Sequence, residues 1–386
     1  MDISPVCTAP QEQEISERLQ RLQTKMKRQG LDYYLCHDPA NIFYLTNFAN
    51  FVHERPFILL IPGSGRPIFL MPKLEEEHVR IRSVGEMEYL HYFEFPAPQK
   101  KQWSDRLLDV LDSSHTVGLE SSCPLNVMRA VPGDTAAVDL VEDLREIKSD
   151  YEISRIAYTS ELLNEGQKLL FEMASPGQLP ILIHKEVSGM LMQKMLLENP
   201  VANVLNSTFN AVTQPPGLSH DPHNFTDTFC TLEEGGPHVC IVQGLANGYG
   251  AELERTFFIN SVPEQALKPF NDMLDARALA YELLVPGANM SEIDRAVNDL
   301  LRDRGHGEHL LHRTGHSFGV TDHEGPFLAE GYERGVAPNM VFSIEPGIYL
   351  PGIGGFRFSD TVLVTDEGPV KLTSAPETLQ ALTLHA

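Results

Sequence analysis

Gly248-Tyr249-Gly250-Ala251-Glu252-Leu253-Glu254-Arg255-Thr256-Phe257-Phe258-Ile259 is the stretch on which the reading of this chain turns. As a strand it sends Glu252, Glu254 and Thr256 to one face and Leu253 and Arg255 to the other, because side chains alternate. The Phe257-Phe258-Ile259 end predicts a buried sheet rather than an edge strand with a solvated acidic face. Two carboxylates on one buried face repel each other unless a metal, a cation or a shared proton lies between them. The stretch therefore predicts a sheet in the second half of the chain and chemistry on one of its faces.

Working outward, three more segments set ionisable side chains against Gly and Pro. They are His220-Asp221-Pro222-His223, then His312-Arg313-Thr314-Gly315-His316-Ser317-Phe318-Gly319 with His323-Glu324-Gly325-Pro326, then Ser343-Ile344-Glu345-Pro346-Gly347-Ile348-Tyr349 leading to Arg357-Phe358-Ser359-Asp360. A lone histidine is usually structural. Five in two compact stretches (His220, His223, His312, His316, His323) point to proton transfer or metal ligation. Glu345 follows the apolar run 341–344 and precedes Pro-Gly, which places its carboxylate at a strand end, where sites form.

Further out, Ser149-Asp150-Tyr151-Glu152 is a capping box opening a helix that runs to about residue 174. Helices are also expected at 12–29, ending at Gly30, at 104–111, 180–197 and 263–284, and at 291–304 with Ser291 as the cap. Apolar runs at 33–36, 57–61, 68–71 and 116–119 read as strands of an α/β domain, and those at 238–243, 248–259, 341–344 and 359–364 as the sheet of an α+β domain. The boundary falls near 146–150, giving domains 1–147 and 148–386.

The 386 residues carry 30 Lys and Arg against 53 Asp and Glu, a net charge of -23. Such a surface repels phosphate backbones and anionic headgroups, so the expected partner is a small cationic or zwitterionic molecule, with no nucleic acid and no membrane. The five scattered cysteines form no C-x-x-C pair, and Cys240 within Val239-Cys240-Ile241-Val242 reads as a buried thiol. The Met-Asp-Ile-Ser-Pro start lacks a basic region and an apolar core, so the expected compartment is the cytoplasm.

As a set, and in this order, the strings His-Arg-Thr-Gly-His-Ser-Phe-Gly, His-Glu-Gly-Pro and Ile-Glu-Pro-Gly-Ile-Tyr resemble the creatinase/aminopeptidase P/prolidase superfamily over essentially the whole chain. The resemblance implies a pita-bread α+β catalytic domain behind a smaller creatinase-type α/β domain, and a homodimer with the N-terminal domain near the partner's active site. It also implies a two-metal site of two Asp, one His and two Glu. Of those five positions the chain keeps His316 and Glu345, replaces one Asp by Glu252, and puts Ile241 and Ser359 at the other two. Read this way the dinuclear site is lost.

The expectation is then a metal-independent hydrolase, without cofactor, acting on a C–N bond in an amidine, guanidino or cyclic amidine compound, as in the creatinase and ectoine hydrolase branches. Glu254 and Glu345 would hold the cationic group, His223 would move the proton, His316 and His323 would relay it, and Glu252 would be an acidic contact or nucleophile. Arg55, His220, Tyr249, His312, Arg357 and Ser359 complete the expected substrate-binding set. The alternative is an Xaa-Pro-type peptidase with a single divalent metal on Glu252, His316 and Glu345. A third reading is a non-catalytic binding protein on the same fold.

Overall fold

The computed structural model describes residues 3–50, 54–225 and 227–386, which form two compact units. One is Thr8–Arg145. The other is Glu146–Ala386 together with the N-terminal stretch ending at Cys7.

The first unit opens with the helix Glu12–Gln29, closed by Gly30 in the left-handed conformation at φ 69°, as a C-terminal glycine allows. Its sheet runs β4-β3-β2-β1-β5-β6, where β1 is Tyr33–Cys36, β2 Ile58–Pro62, β3 Ile68–Pro72, β4 Glu88–Tyr92, β5 Thr116–Leu119 and β6 Asp134–Ala137. The helix expected at 104–111 is shorter, Trp103–Leu107, because the amides of Asp109 and Val110 bond three residues back and tighten the chain into turns. Trp103, the chain's one tryptophan, sits in this unit's core with Leu35, Leu60 and Leu70.

The second unit opens with the helix Asp150–Met173, whose capping box is formed as expected between Ser149 and Glu152. Pro180–Glu198 follows, with proline in its first turn. Then come β7 (Thr208–Gln214), β8 (Gly235–Ala246) and β9 (Tyr249–Ile259), all antiparallel. The two-residue turn between β8 and β9 is Asn247-Gly248, both at positive φ (48° and 93°), the backbone that matches strand twist in a tight hairpin. Helices Glu264–Leu283 and Met290–Asp303 lie next in the chain. The second is capped by Asn289, whose side chain accepts from the amides of Ser291 and Glu292, so the cap lies two residues before the expected Ser291.

The remaining strands are β10 (Gly315–Ser317), β11 (Glu324–Leu328), β12 (Val341–Ser343), β13 (Gly347–Leu350), β14 (Gly354–Arg357), β15 (Ser359–Thr365), β16 (Gly368–Lys371), which pairs with β15, and β17 (Thr383–Leu384), which pairs with β9. The sheet order is β11-β10-β12-β15-β9-β8-β7, while β13 and β14 form a separate hairpin. Every residue of β9 is buried, which disposes of the solvated-edge reading of its two glutamates. No helix among the described residues is long and apolar enough to cross a membrane.

Candidate active site

Strand pairing decides what surrounds the two glutamates of β9. On one side Gln243 of β8 lies opposite Glu252, and Ile241 lies opposite Glu254. On the other side Ser359 of β15 lies opposite Glu254. Alternation sends Glu252 and Glu254 to the cavity face, as the sequence predicts. It sends Tyr249 the other way, where its ring meets Tyr151 edge-on and lies under the Arg155 guanidinium. Tyr249 is thus a packing residue and does not line the cavity.

Glu345 comes in from the end of β12, its amide donating to the Thr314 carbonyl at 2.9 Å. Thr314 is itself held by Asp294, which accepts from its amide and its hydroxyl. His316 comes from β10, where Gly315 lets two backbones approach: a Cβ there would lie 2.1 Å from the Ser343 carbonyl oxygen. Glu252, Glu254 and Glu345 each bring a carboxylate oxygen within 4.8 Å of the other two. A second grouping of the same tightness joins Glu252 to His316 and His323, whose rings stack at 3.8 Å. The trio Glu252, His316 and Glu345 is split between these groupings and bridged by the 3.4 Å approach of His316 Nε2 to Glu345 Oε1.

The charge balance is informative. At an effective dielectric of about 20, two like charges this close cost roughly 3–4 kcal/mol per pair, so three bare carboxylates cannot all be ionised together. The Arg357 guanidinium supplies one positive charge, with Nε 2.6 Å from Glu254 Oε2 although not aimed along a hydrogen bond. It also donates to the Tyr349 hydroxyl at 3.1 Å. Burial pushes the Glu254 carboxyl well above the usual range against the pull of Arg357, and burial with Glu252 nearby does the same to Glu345. Glu252 moves the other way. Burial raises it, but His316, the Ser359 hydroxyl and Arg357 outweigh that and hold it below the usual range. Ser359 donates to Glu252 Oε1 at 2.7 Å and Ser343 to the same oxygen at 3.2 Å. Ser359 therefore orients Glu252 and has no place on the cavity wall.

Three of the histidines, His312, His316 and His323, are held toward the neutral form. Burial lowers His316, and lowers His323 with His316 beside it; burial and Arg357 push His312 down to about 4. His316 Nδ1 donates to the Ser317 carbonyl at 3.1 Å, which leaves Nε2 as the lone-pair nitrogen. That Nε2 is buried, has no hydrogen-bond partner and faces the carboxylates. A buried imidazole lone pair beside three carboxylates that cannot all ionise without a further cation is what a divalent ion would satisfy, so the residues present fit a metal ion.

The cavity in front of this cluster has a volume of about 1110 Å³. His223, His312, His323, Glu252, Glu254, Glu345 and Arg357 all line it. His312 accepts at Nε2 from the Tyr349 hydroxyl at 2.6 Å. His220 caps the short helix Pro216–Ser219, half-buried, with Nδ1 lacking a hydrogen-bond partner. Arg55 belongs to the N-terminal unit, where it pairs with Glu94 at 2.5 Å and Glu54 at 2.6 Å. The sequence reading missed Arg313, Asn210, Thr213 and His184 on the wall. Arg313 stood inside a quoted motif, whereas the other three carry no local signal and are placed only by β7 and the helix Pro180–Glu198.

Residues 160–366 match the model of metallopeptidase family M24, and residues 18–147 match the creatinase/prolidase N-terminal domain. The chain is 24% identical over 371 residues to an Xaa-Pro dipeptidase of Pyrococcus furiosus, covering 95% of this chain and 100% of that one. Its fold superposes on the prolidase from Pyrococcus horikoshii OT3 with a TM-score of 0.83 at 24% identity, covering 94% and 99% of the two chains. The Xaa-Pro dipeptidase from Bacillus anthracis gives 0.80 at 23%, covering 95% and 99%. The catalytic domain is thus the pita-bread fold behind a creatinase-type N-terminal domain, as the resemblance implied.

These matches overturn the expectation of a metal-independent amidine or guanidino hydrolase, and with it the expectation of no cofactor: the family is one of metallopeptidases and the relatives are named dipeptidases. The sequence argument counted two lost carboxylates, at Ile241 and Ser359, and gave Glu254 to a cationic substrate; strand pairing sets Glu254 between those two positions. With a metallopeptidase model spanning more than half of its length and including all of Glu252, Glu254, His316 and Glu345, the chain belongs to metallopeptidase family M24.

Proposed function

We propose that this protein is an Xaa-Pro-type dipeptidase working with one divalent metal ion. The observation that carries the proposal is the buried, partnerless Nε2 of His316 facing the carboxylate cluster. Glu252, His316 and Glu345 would hold the ion. When bound, it supplies a Lewis acid for the scissile carbonyl and lowers the pKa of a water.

The chain's own residues do the rest. Ser359 and Ser343 fix Glu252 in its ionised form. His323, neutral and stacked on His316, can accept a proton at the cavity wall, and His223 on the wall can deliver one to the departing proline nitrogen. His312 is locked as an acceptor for Tyr349, so it positions rather than shuttles. Arg313 gives the cavity a cation for the substrate carboxylate. His220 shares the loop of His223 and would tune its approach. A cytoplasmic homodimer, with Arg55 presented to the partner's site, belongs to the same proposal.

The test is hydrolysis of Ala-Pro, Leu-Pro and Leu-Ala by protein stripped with chelator and then resupplied with manganese, cobalt or zinc. Metal-restored cleavage of the proline dipeptides, at least tenfold preferred over Leu-Ala, is expected. Cleavage that survives chelation, or no cleavage with any metal, refutes the proposal.

A further inference from the structure

Glu254 is set apart by its neighbours. Across the strands it faces Ile241, which offers no polar atom, and Ser359, whose hydroxyl is spent on Glu252. Its Oε2 is buried and lacks a hydrogen-bond partner, with only the misaligned Arg357 Nε beside it. Its carboxylate belongs to the same tight grouping as Glu252 and Glu345, the group on which the buried lone pair of His316 converges. A carboxylate at 2% exposure whose Oε2 has an ion pair but no aligned hydrogen bond has room for a second cation, and the neighbouring Glu252 and Glu345 carboxylates place one within its reach.

We infer that Glu254 is a direct ligand of the metal ion, giving an oxygen-rich set of Glu252, Glu254 and Glu345 with one imidazole. The inference rests on the single-metal reading above and adds to it a ligand and a metal class. Three carboxylates and one imidazole suit a hard or borderline ion such as Mn²⁺ and disfavour soft ions bound through sulfur. In the ion-bound protein Glu254 turns from Arg357 to the metal, and Arg357 keeps its contact with Tyr349.

The test is Mn²⁺ binding by calorimetry and by the loss of the free-ion electron paramagnetic resonance signal, using the full-length protein. Wild type is expected to bind Mn²⁺, Glu254→Gln to bind it about 10- to 100-fold more weakly, and Glu254→Gln/Arg357→Gln to remain at least about tenfold weaker than wild type. Wild-type affinity in Glu254→Gln overturns the inference. So does recovery of wild-type affinity in the double variant, because Glu254 would then act only by neutralising Arg357. Failure of wild type itself to bind Mn²⁺ overturns the single-metal reading as well, which separates the two. If the variants do not fold, crystals of wild type soaked in Mn²⁺ decide. A Glu254 oxygen between about 2.0 and 2.6 Å from the ion supports the inference, and one left on Arg357, outside the coordination shell, overturns it.

Discussion

Asp360 is the residue whose loss should cost the catalytic unit most. It is completely buried, and its two oxygens are divided between Arg255 at 2.9 Å and Arg277 at 2.5 Å, with Thr373 donating at 3.0 Å. Arg255 in turn donates to the Ser359 carbonyl, so the cluster ties β9 to β15 beside the residues that orient Glu252. Asp360→Asn keeps the shape and removes the charge. It leaves two buried guanidiniums with one partly exposed glutamate, Glu377, between them. Breaking a buried ion pair from one side costs about 3–5 kcal/mol. At about 2–4 °C per kcal/mol for a unit of this size, the melting midpoint should fall by roughly 6–20 °C. Far-UV circular dichroism on heating measures this directly. A shift of under 2 °C would refute the argument that the Arg255–Asp360–Arg277 cluster holds the two strands.

Three further outcomes are expected. Gly315→Ala, whose methyl would press on the Ser343 carbonyl, should cost about 1–3 kcal/mol in urea unfolding and weaken metal binding by displacing His316; unchanged values of both would remove Gly315 from the account. Ser359→Ala should lower kcat with little change in fold, because Glu252 Oε1 loses the nearer of its two serine hydroxyl donors, and an unchanged kcat would mean the pair of serines does not orient Glu252. In the N-terminal unit, burial pushes the Glu120 carboxyl up to about 7 against the opposing bonds from His37, Asp38 and Asn41. A raised acid favours the protonated folded form, so its contribution is present below pH 4.5 and is lost as pH rises through 7, a change of about 3 kcal/mol. Urea unfolding followed by Trp103 fluorescence should show stability falling over that window, and a smaller slope in Glu120→Gln; an equal slope in the two proteins would exclude Glu120 as the source.

Much of the frame could be read from local chemistry. The capping box at Ser149 and the glycine stop at Gly30 fall where the sequence puts them. The alternation of β9 delivers Glu252 and Glu254 to one face, because a buried apolar strand leaves its carboxylates nowhere else to go. The same alternation already argued against Tyr249, which is in phase with Leu253 and Arg255 on the face opposite Glu252 and Glu254. Asn289 outcompeted Ser291 as a cap because the backbone bridge between Asn289 and Gly335 fixes the residue that turns first, a long-range contact invisible in a window of sequence. The largest error had the same origin. Ile241 and Ser359 read as two subtractions from a metal site, but cross-strand register makes them the two neighbours of a third carboxylate, Glu254. Residue counting along the chain cannot see that, since 241, 254 and 359 come together only in the sheet.

The most direct test of the central claim is metal stoichiometry by elemental mass spectrometry, on protein loaded with Mn²⁺, dialysed free of excess and assayed in the same sample for Xaa-Pro cleavage. Three carboxylates, one of them facing Arg357, and one imidazole lone pair balance a single divalent ion. The account expects one ion per chain, with turnover rising in proportion to occupancy up to that point. Two ions per chain at full activity, or full activity with none, would contradict it.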